Sequence, residues 1–381
     1  MRRLVVVGGA LAGHRAAVQA RRLDAELDIT VLASEDELPY QRPPLSKGYL
    51  AGTVSAQRVR LRGGGEGYRF LSGSPAVGVD LAKSLVFTEE NAYPFDLLVV
   101  ATGAQPRHLK GFAPDEAIIY LRTLTDATRL KEALTRIGHL TIIGGGFIGA
   151  EVAVTARNLG VNVTVVEQSS HLLSRAVGQR VSSIVESNLH EHNVELLLDS
   201  TAHLETTGGH RLVSNGTQSW PTDLVVVGVG VTPCTAWLSG ALPLAEDEGI
   251  HVNEMGLVKG FEQVGAAGDV ASWDHPLYGR SVRFEHFEVA TNQALHTAQA
   301  LVANTRVAYR ELPFGWSDQG DLLLQVLGVP GPDLTEEVEE VEDGTIFLYR
   351  RDERLEGAVL VNAPEELTKL RDRINASLES Q

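Results

Sequence analysis

The sequence predicts an α/β fold that carries one strand–turn–helix unit twice and ends in a smaller α+β segment. Two runs lead there. Residues 4–7 (Leu-Val-Val-Val) meet Gly8-Gly9-Ala10-Leu11-Ala12-Gly13 and then a helical stretch from 14 to about 23. Residues 140–143 (Leu-Thr-Ile-Ile) meet Gly144-Gly145-Gly146-Phe147-Ile148-Gly149 and a helix through about 159. Short apolar, β-branched strands of this kind suit a parallel sheet buried on both faces. Both units have the context of a dinucleotide site, so they read as two Rossmann-like dinucleotide-binding domains.

Each part of the unit has a physical reason. The first glycine (Gly8, Gly144) makes the tight turn, and the middle one lets backbone approach a pyrophosphate. The last (Gly13, Gly149) lets the helix pack on the strand, while the helix N-terminus supplies amide donors. Ala10 stands where the first unit would carry its middle glycine and Gly146 is its counterpart, so a tolerated outward shift of the pyrophosphate is expected at Ala10. An acid for a ribose hydroxyl should follow about 20 residues on. The second unit offers Glu167, eighteen residues after Gly149; the first offers Glu35 or Asp36, about 22 after Gly13. A carboxylate at Glu167 accepts from the adenosine 2′- and 3′-hydroxyls and repels a 2′-phosphate, which favours NADH over NADPH. Arg175 lies downstream and softens that preference.

Composition removes other classes. The chain has 381 residues, enough for two or three domains. Its 33 Lys and Arg against 49 Asp and Glu give a net charge of −16, which opposes nucleic acid or an anionic membrane as partner. One cysteine allows neither an intrachain disulfide nor a multi-cysteine metal site, and no metal is expected. No apolar run approaches the roughly 20 residues of a membrane span. Met1-Arg2-Arg3 precedes too short an apolar run for a signal peptide, so a cytoplasmic protein is expected.

The segment from Glu35 to Lys47, with Pro39-Tyr40-Gln41-Arg42-Pro43-Pro44-Leu45-Ser46-Lys47, resembles FAD-dependent, NADH-linked ferredoxin reductases of oxygenase and cytochrome P450 systems. Further segments match in order: Val99-Val100-Ala101-Thr102-Gly103 with Pro106-Arg107; Val227-Gly228-Val229-Gly230-Val231 with Pro233; Ala267-Gly268-Asp269-Val270; Arg283-Phe284-Glu285; and Trp316-Ser317-Asp318-Gln319. The resemblance spans nearly the whole chain. It implies a glutathione-reductase-like arrangement: an FAD domain in two parts (1–107 and 233–304), an NADH domain (108–232) inserted between them, and a C-terminal α+β domain (305–381). The lone Cys234, read as a small buried residue, excludes the disulfide-using branch of that superfamily.

The resemblance also implies roles. Lys47 lies near flavin N5 and pairs with Glu151, which is read as a first-turn residue of the second helix. Arg42 bonds the FAD pyrophosphate; an arginine fork suits phosphate. Asp269 bonds the ribityl chain or caps a following helix. Thr102, Gly103 and Arg107 lie beside FAD, and Ala76 faces the adenine through backbone. Phe147, Ile148, Val229, Gly230 and Glu285 lie on the nicotinamide side. Trp316 lies near the flavin ring on the electron exit path. His286 reads as structural.

Residues 322–327, 346–349 and 358–361 read as strands. A final helix from near Pro364 carries an apolar stripe of Leu367, Leu370, Ile374 and Leu378. Three departures bear on the acceptor. Gly315 and Gly320 stand where the family carries aromatic residues, which would leave space beside the flavin. Residues 305–381 hold 8 basic against 17 acidic residues, seven of the acids within 333–343. Like charges across an interface oppose association, so docking of an acidic 2Fe–2S ferredoxin is expected to be weakened. Arg306, Arg310, Arg350, Arg351 and Arg354 could form a local basic patch. The favoured function is NADH:ferredoxin reduction through FAD by a monomer or weak homodimer. The alternatives are a stand-alone NADH-dependent flavin oxidoreductase using a small organic acceptor or oxygen, and a redox-sensing flavoprotein that binds a partner.

Overall fold

The computed structural model describes residues 1–207 and 210–379. The chain forms two compact units. One comprises residues 1–41, 60–105 and 232–315; the other comprises 42–59, 106–231 and 316–381.

The first unit is built on a nine-stranded sheet with Arg3–Val7 between Asp28–Leu32 and Leu97–Val100, both parallel to it. Phe261–Ala266 continues the sheet in parallel beside Leu97–Val100. Side chains alternate across the strand, as period 2 demands. Leu4 and Val6 join one core with Ala16, Ala17 and Ala20 of helix Leu11–Leu23 and with Ala290 and Ala294 of helix Phe287–Val302. Val5 and Val7 join the opposite core with Leu98, Val100 and Trp273. Two buried faces explain why the strand sequence is apolar throughout. The first helix begins at Leu11, earlier than the expected 14, and so takes Gly13 inside it.

The second unit holds a five-stranded parallel sheet with His139–Ile143 at its centre, between Asn162–Val166 and Leu224–Val227. Helix Phe147–Asn158 packs on it through Ala150, Val152, Ala153 and Val154. The same unit contains the C-terminal antiparallel sheet, in the order Phe314–Gln319, Leu322–Gly328, Arg354–Val361, Gly344–Arg351, Thr335–Val341. The three expected strands are present and longer than expected; Phe314–Gln319 and Thr335–Val341 were not expected as strands. The final helix, Leu367–Glu379, follows a 3-10 turn at Pro364–Glu366 and buries Leu370, Ile374 and Leu378.

The acidic run therefore lies largely on an edge strand. Its charges have local partners: Glu337 pairs with Arg350 at 3.1 Å, Glu339 with Arg373 at 2.6 Å and Asp333 with Arg351 at 3.2 Å. Such exposed pairs contribute little stability each, but a charged edge discourages pairing with another chain. Among the described residues, no helix is long and apolar enough to cross a membrane. None of their His, Cys, Asp and Glu side chains form a group of three or more that could hold a metal ion.

Candidate active site

Both glycine loops are shaped by backbone contact. Gly8 has φ +115° and Gly144 φ +106°. A Cβ on Gly8 would overlap the Ala101 carbonyl, and one on Gly144 the Gly228 carbonyl. A Cβ on Gly13 would overlap the Gly8 carbonyl, and one on Gly149 the Gly144 carbonyl. Ala10 and Gly146 each precede their helix with extended backbone, φ −83° and −79°, and neither helix has a side-chain cap. Their first amides are thus open to an external acceptor. A Cβ on Gly146 would meet nothing within 4 Å. Tight turns with an open, uncapped side fit the pyrophosphate of a dinucleotide.

The acids behave differently. Glu167 accepts from the Gly145 amide through Oε2 at 2.6 Å and from the Ser169 amide through Oε1 at 2.7 Å, so it is fixed against its own loop. Glu35 accepts from the Tyr40 hydroxyl. Asp36 is exposed, as is Arg175.

The remaining expected residues are distributed over both units. In the first, the Thr102 hydroxyl donates to the Cys234 carbonyl at 2.9 Å, and the Cys234 amide donates to the Gly103 carbonyl at 2.9 Å. Gly103 has φ +68°. Cys234 is half-buried rather than buried, and Ala76 is half-buried. The Asp269 carbonyl accepts from Arg283 at 3.0 Å, and the preceding Gly268 amide donates to the buried Gln293 side chain at 3.0 Å. Strand Ala271–His275 follows Asp269, so the alternative of a helix cap is removed. Glu285 is exposed and pairs with Arg283 at 2.9 Å. In the second unit, Arg42 donates to the Arg122 carbonyl. The Arg107 amide donates to the Gly230 carbonyl at 2.9 Å. Phe147 and Val229 are half-buried, and Ile148 and Trp316 are exposed.

One cluster stands out in the second unit. Lys47 Nζ lies 2.7 Å from Glu151 Oε1, and Glu151 is 2% exposed. Glu151 is the fifth residue of helix Phe147–Asn158, not part of its first turn. The Ser46 hydroxyl donates to Glu151 Oε2 at 2.5 Å and the Ser317 hydroxyl to Oε1 at 2.6 Å. The Gln319 amide donates to Ser317 Oγ at 3.2 Å. A buried carboxylate is costly unless paired and hydrogen-bonded; this one has an ammonium and two hydroxyls. Sequence reasoning quoted Ser46 and Ser317 within their motifs but gave them no role. The available signal was strand alternation: in Phe314–Gln319, Ser317 and Gln319 are buried while Trp316 and Asp318 are exposed.

The two glycine departures leave less room than expected. A Cβ on Gly315 would lie 2.5 Å from His286 Nδ1, and one on Gly320 would lie 2.8 Å from His192 Nε2. Imidazole rings occupy the space beside both glycines. Gly320 also turns the hairpin with φ +70°, a conformation that an aromatic residue disfavours.

Comparisons with known proteins agree with this chemistry. Residues 2–294 match the pyridine nucleotide-disulphide oxidoreductase family and residues 314–381 the reductase C-terminal family. The ferredoxin–NAD(+) reductase component of the anthranilate 1,2-dioxygenase system of Burkholderia cepacia is 35% identical, covering 98% of this chain and 94% of that protein. Rhodocoxin reductase of Rhodococcus erythropolis is 33% identical over 95% of this chain and 87% of its own length. The crystal structure of the covalent putidaredoxin reductase–putidaredoxin complex superposes with a TM-score of 0.92 at 28% identity, covering 99% of this chain and 93% of the matched one.

Proposed function

The chain belongs to the pyridine nucleotide-disulphide oxidoreductase family, and from that premise we propose that it is an FAD-dependent NADH:ferredoxin reductase. It passes electrons singly to a 2Fe–2S ferredoxin that serves an oxygenase or cytochrome P450. The observation that carries this reading is the coexistence of two open glycine loops with the buried Lys47–Glu151 pair. When bound, the flavin supplies hydride acceptance and one-electron release; the protein supplies position and electrostatics.

The chain's own residues divide that work. Gly8, Ala10, Gly13, Glu35, Arg42, Ala76, Thr102, Gly103, Arg107 and Asp269 hold FAD. Gly144, Gly146, Phe147, Ile148, Gly149, Glu167, Arg175, Val229, Gly230 and Glu285 hold NADH. Lys47 keeps a positive charge available to an anionic reduced ring, and Glu151 keeps that charge in place. Trp316 forms a stacking wall on the exit path. The domain division is 1–107 with 233–304 for FAD, 108–232 for NADH and 305–381 for the C-terminal domain. With imidazoles beside Gly315 and Gly320, the reason for favouring a small acceptor or oxygen is removed.

Purified protein is expected to be yellow, to bleach with NADH in the absence of air, and to reduce cytochrome c only when a ferredoxin is added. A colourless protein that takes up no FAD, or ferredoxin-independent turnover, overturns the reading. The acidic C-terminal domain weakens docking of an acidic ferredoxin, so the KM for ferredoxin falls as salt rises; the opposite slope contradicts this. The protein is a monomer or weak homodimer, checked by sedimentation, and works in the cytoplasm, where NADH is supplied.

A further inference from the structure

We propose that Ser46 and Ser317 are positioning residues that clamp Glu151 by one hydroxyl on each carboxylate oxygen and thereby fix the ammonium of Lys47. The inference deepens the proposed function and rests on it for the consequence at the flavin, but the clamp itself is a property of the second unit alone.

The geometry fixes the direction of each bond. Gln319 Nε2 donates to Ser317 Oγ, so the Ser317 proton is directed to Glu151 Oε1. The Ser46 proton is directed to Oε2. Both serines are buried, at 2% and 0% exposure, and Gln319 is at 0%. The Ser46 carbonyl is held in turn by the Thr155 hydroxyl at 3.0 Å, from the same helix as Glu151. Lys47, with its side chain 18% exposed, makes one further bond, to the Pro43 carbonyl at 3.4 Å. Its short contact is therefore Glu151, and the orientation of that carboxylate sets where the ammonium sits. Without the hydroxyls the carboxylate is free to turn out of the orientation that meets Lys47, and that contact loosens; hydrogen bonds to a charged group are among the stronger ones in a protein.

The test uses Ser317→Ala, Ser317→Thr and Ser46→Ala. The first readout is reductive methylation of lysines followed by mass spectrometry, on flavin-free and flavin-loaded protein. An ammonium tied to a carboxylate is a poor nucleophile, so Ser317→Ala is expected to raise labelling of Lys47 by about tenfold while Lys110, Lys131 and Lys259 keep their wild-type rates. The second is anaerobic stopped-flow reduction by NADH. The limiting rate is expected to fall by roughly tenfold with the half-saturating NADH concentration unchanged, and the flavin midpoint potential to move with it. Ser317→Thr keeps the hydroxyl and recovers both.

If Ser317→Ala does not fold, Ser46→Ala is read by the same pair of measurements. Wild-type labelling of Lys47 in the alanine variants, or a rise shared by all lysines, overturns the clamp. Should the wild-type protein fail to accept electrons from NADH, the functional reading falls while the labelling ratio still decides the clamp.

Discussion

At Gly8 and at Gly144 the backbone makes the same left-handed turn, and at Gly13 and Gly149 a methyl would strike the same loop carbonyl. Between those fixed points the two loops part. The residue before the helix is Ala10 in one and Gly146 in the other, and the acid is turned to Tyr40 in one and to its own loop in the other. The shared positions are dictated by chain against chain, whatever is bound. Among the divergent ones, Gly146 lies on the open side, where a Cβ would meet nothing within 4 Å. A glycine pattern therefore reports a turn, and its exceptions report what the turn is for.

The strongest way to break the comparison is to fill the shared positions. Gly13→Ala is expected to lose bound flavin and destabilise the first unit by about 3 kcal/mol or more, because backbone must move. Gly149→Ala should keep its flavin, measured by the ratio of visible to ultraviolet absorbance, yet resist reduction by NADH. The reverse assignment would mean that the loops hold the opposite ligands.

Acid should separate the units next. Burial pushes His14 and His275, both in the first unit, down to about 4. Each is neutral when folded and protonated when unfolded below pH 6.5. Their stabilising contribution is thus complete above pH 6.5 and is lost as pH falls toward 4. By pH 5 the loss is about 2 kcal/mol for each. Flavin release on acidification is expected, with the His14→Gln variant shifting its midpoint; an unchanged flavin content at pH 5 contradicts this.

A smaller effect is expected at the second loop's acid. Glu167→Ala removes two charged hydrogen bonds from the loop as well as the ribose acceptor. The KM for NADH should rise by about 10- to 100-fold, with a lesser change for NADPH. Ala10→Gly is the smallest: its backbone is already extended with negative φ, so flavin affinity should change by less than about threefold.

Much of this was legible in the residues. The two central strands and the two loop-bound helices followed from β-branched runs and glycines, because short-range sterics decide them. The edge strand Thr335–Val341 was not legible. Seven acids in the run mask its alternation, and three of them, Asp333, Glu337 and Glu339, are held by Arg351, Arg350 and Arg373 from elsewhere in the chain. The partners of Glu151 were hidden for a similar reason: Ser46 and Ser317 are 271 positions apart, and no local spacing links them. His286 beside Gly315 and His192 beside Gly320 were invisible too, since a vacancy in sequence says nothing of which neighbour fills it.

Strand Phe314–Gln319 turns Trp316 outward and Ser317 inward. A designer who grafts this C-terminal segment onto another reductase would therefore transplant half of a charge-holding device with it. Hybrids that preserve every surface residue yet shift the junction by one position would exchange indole for hydroxyl at the centre. The natural seam for recombination runs ahead of this strand, never through it.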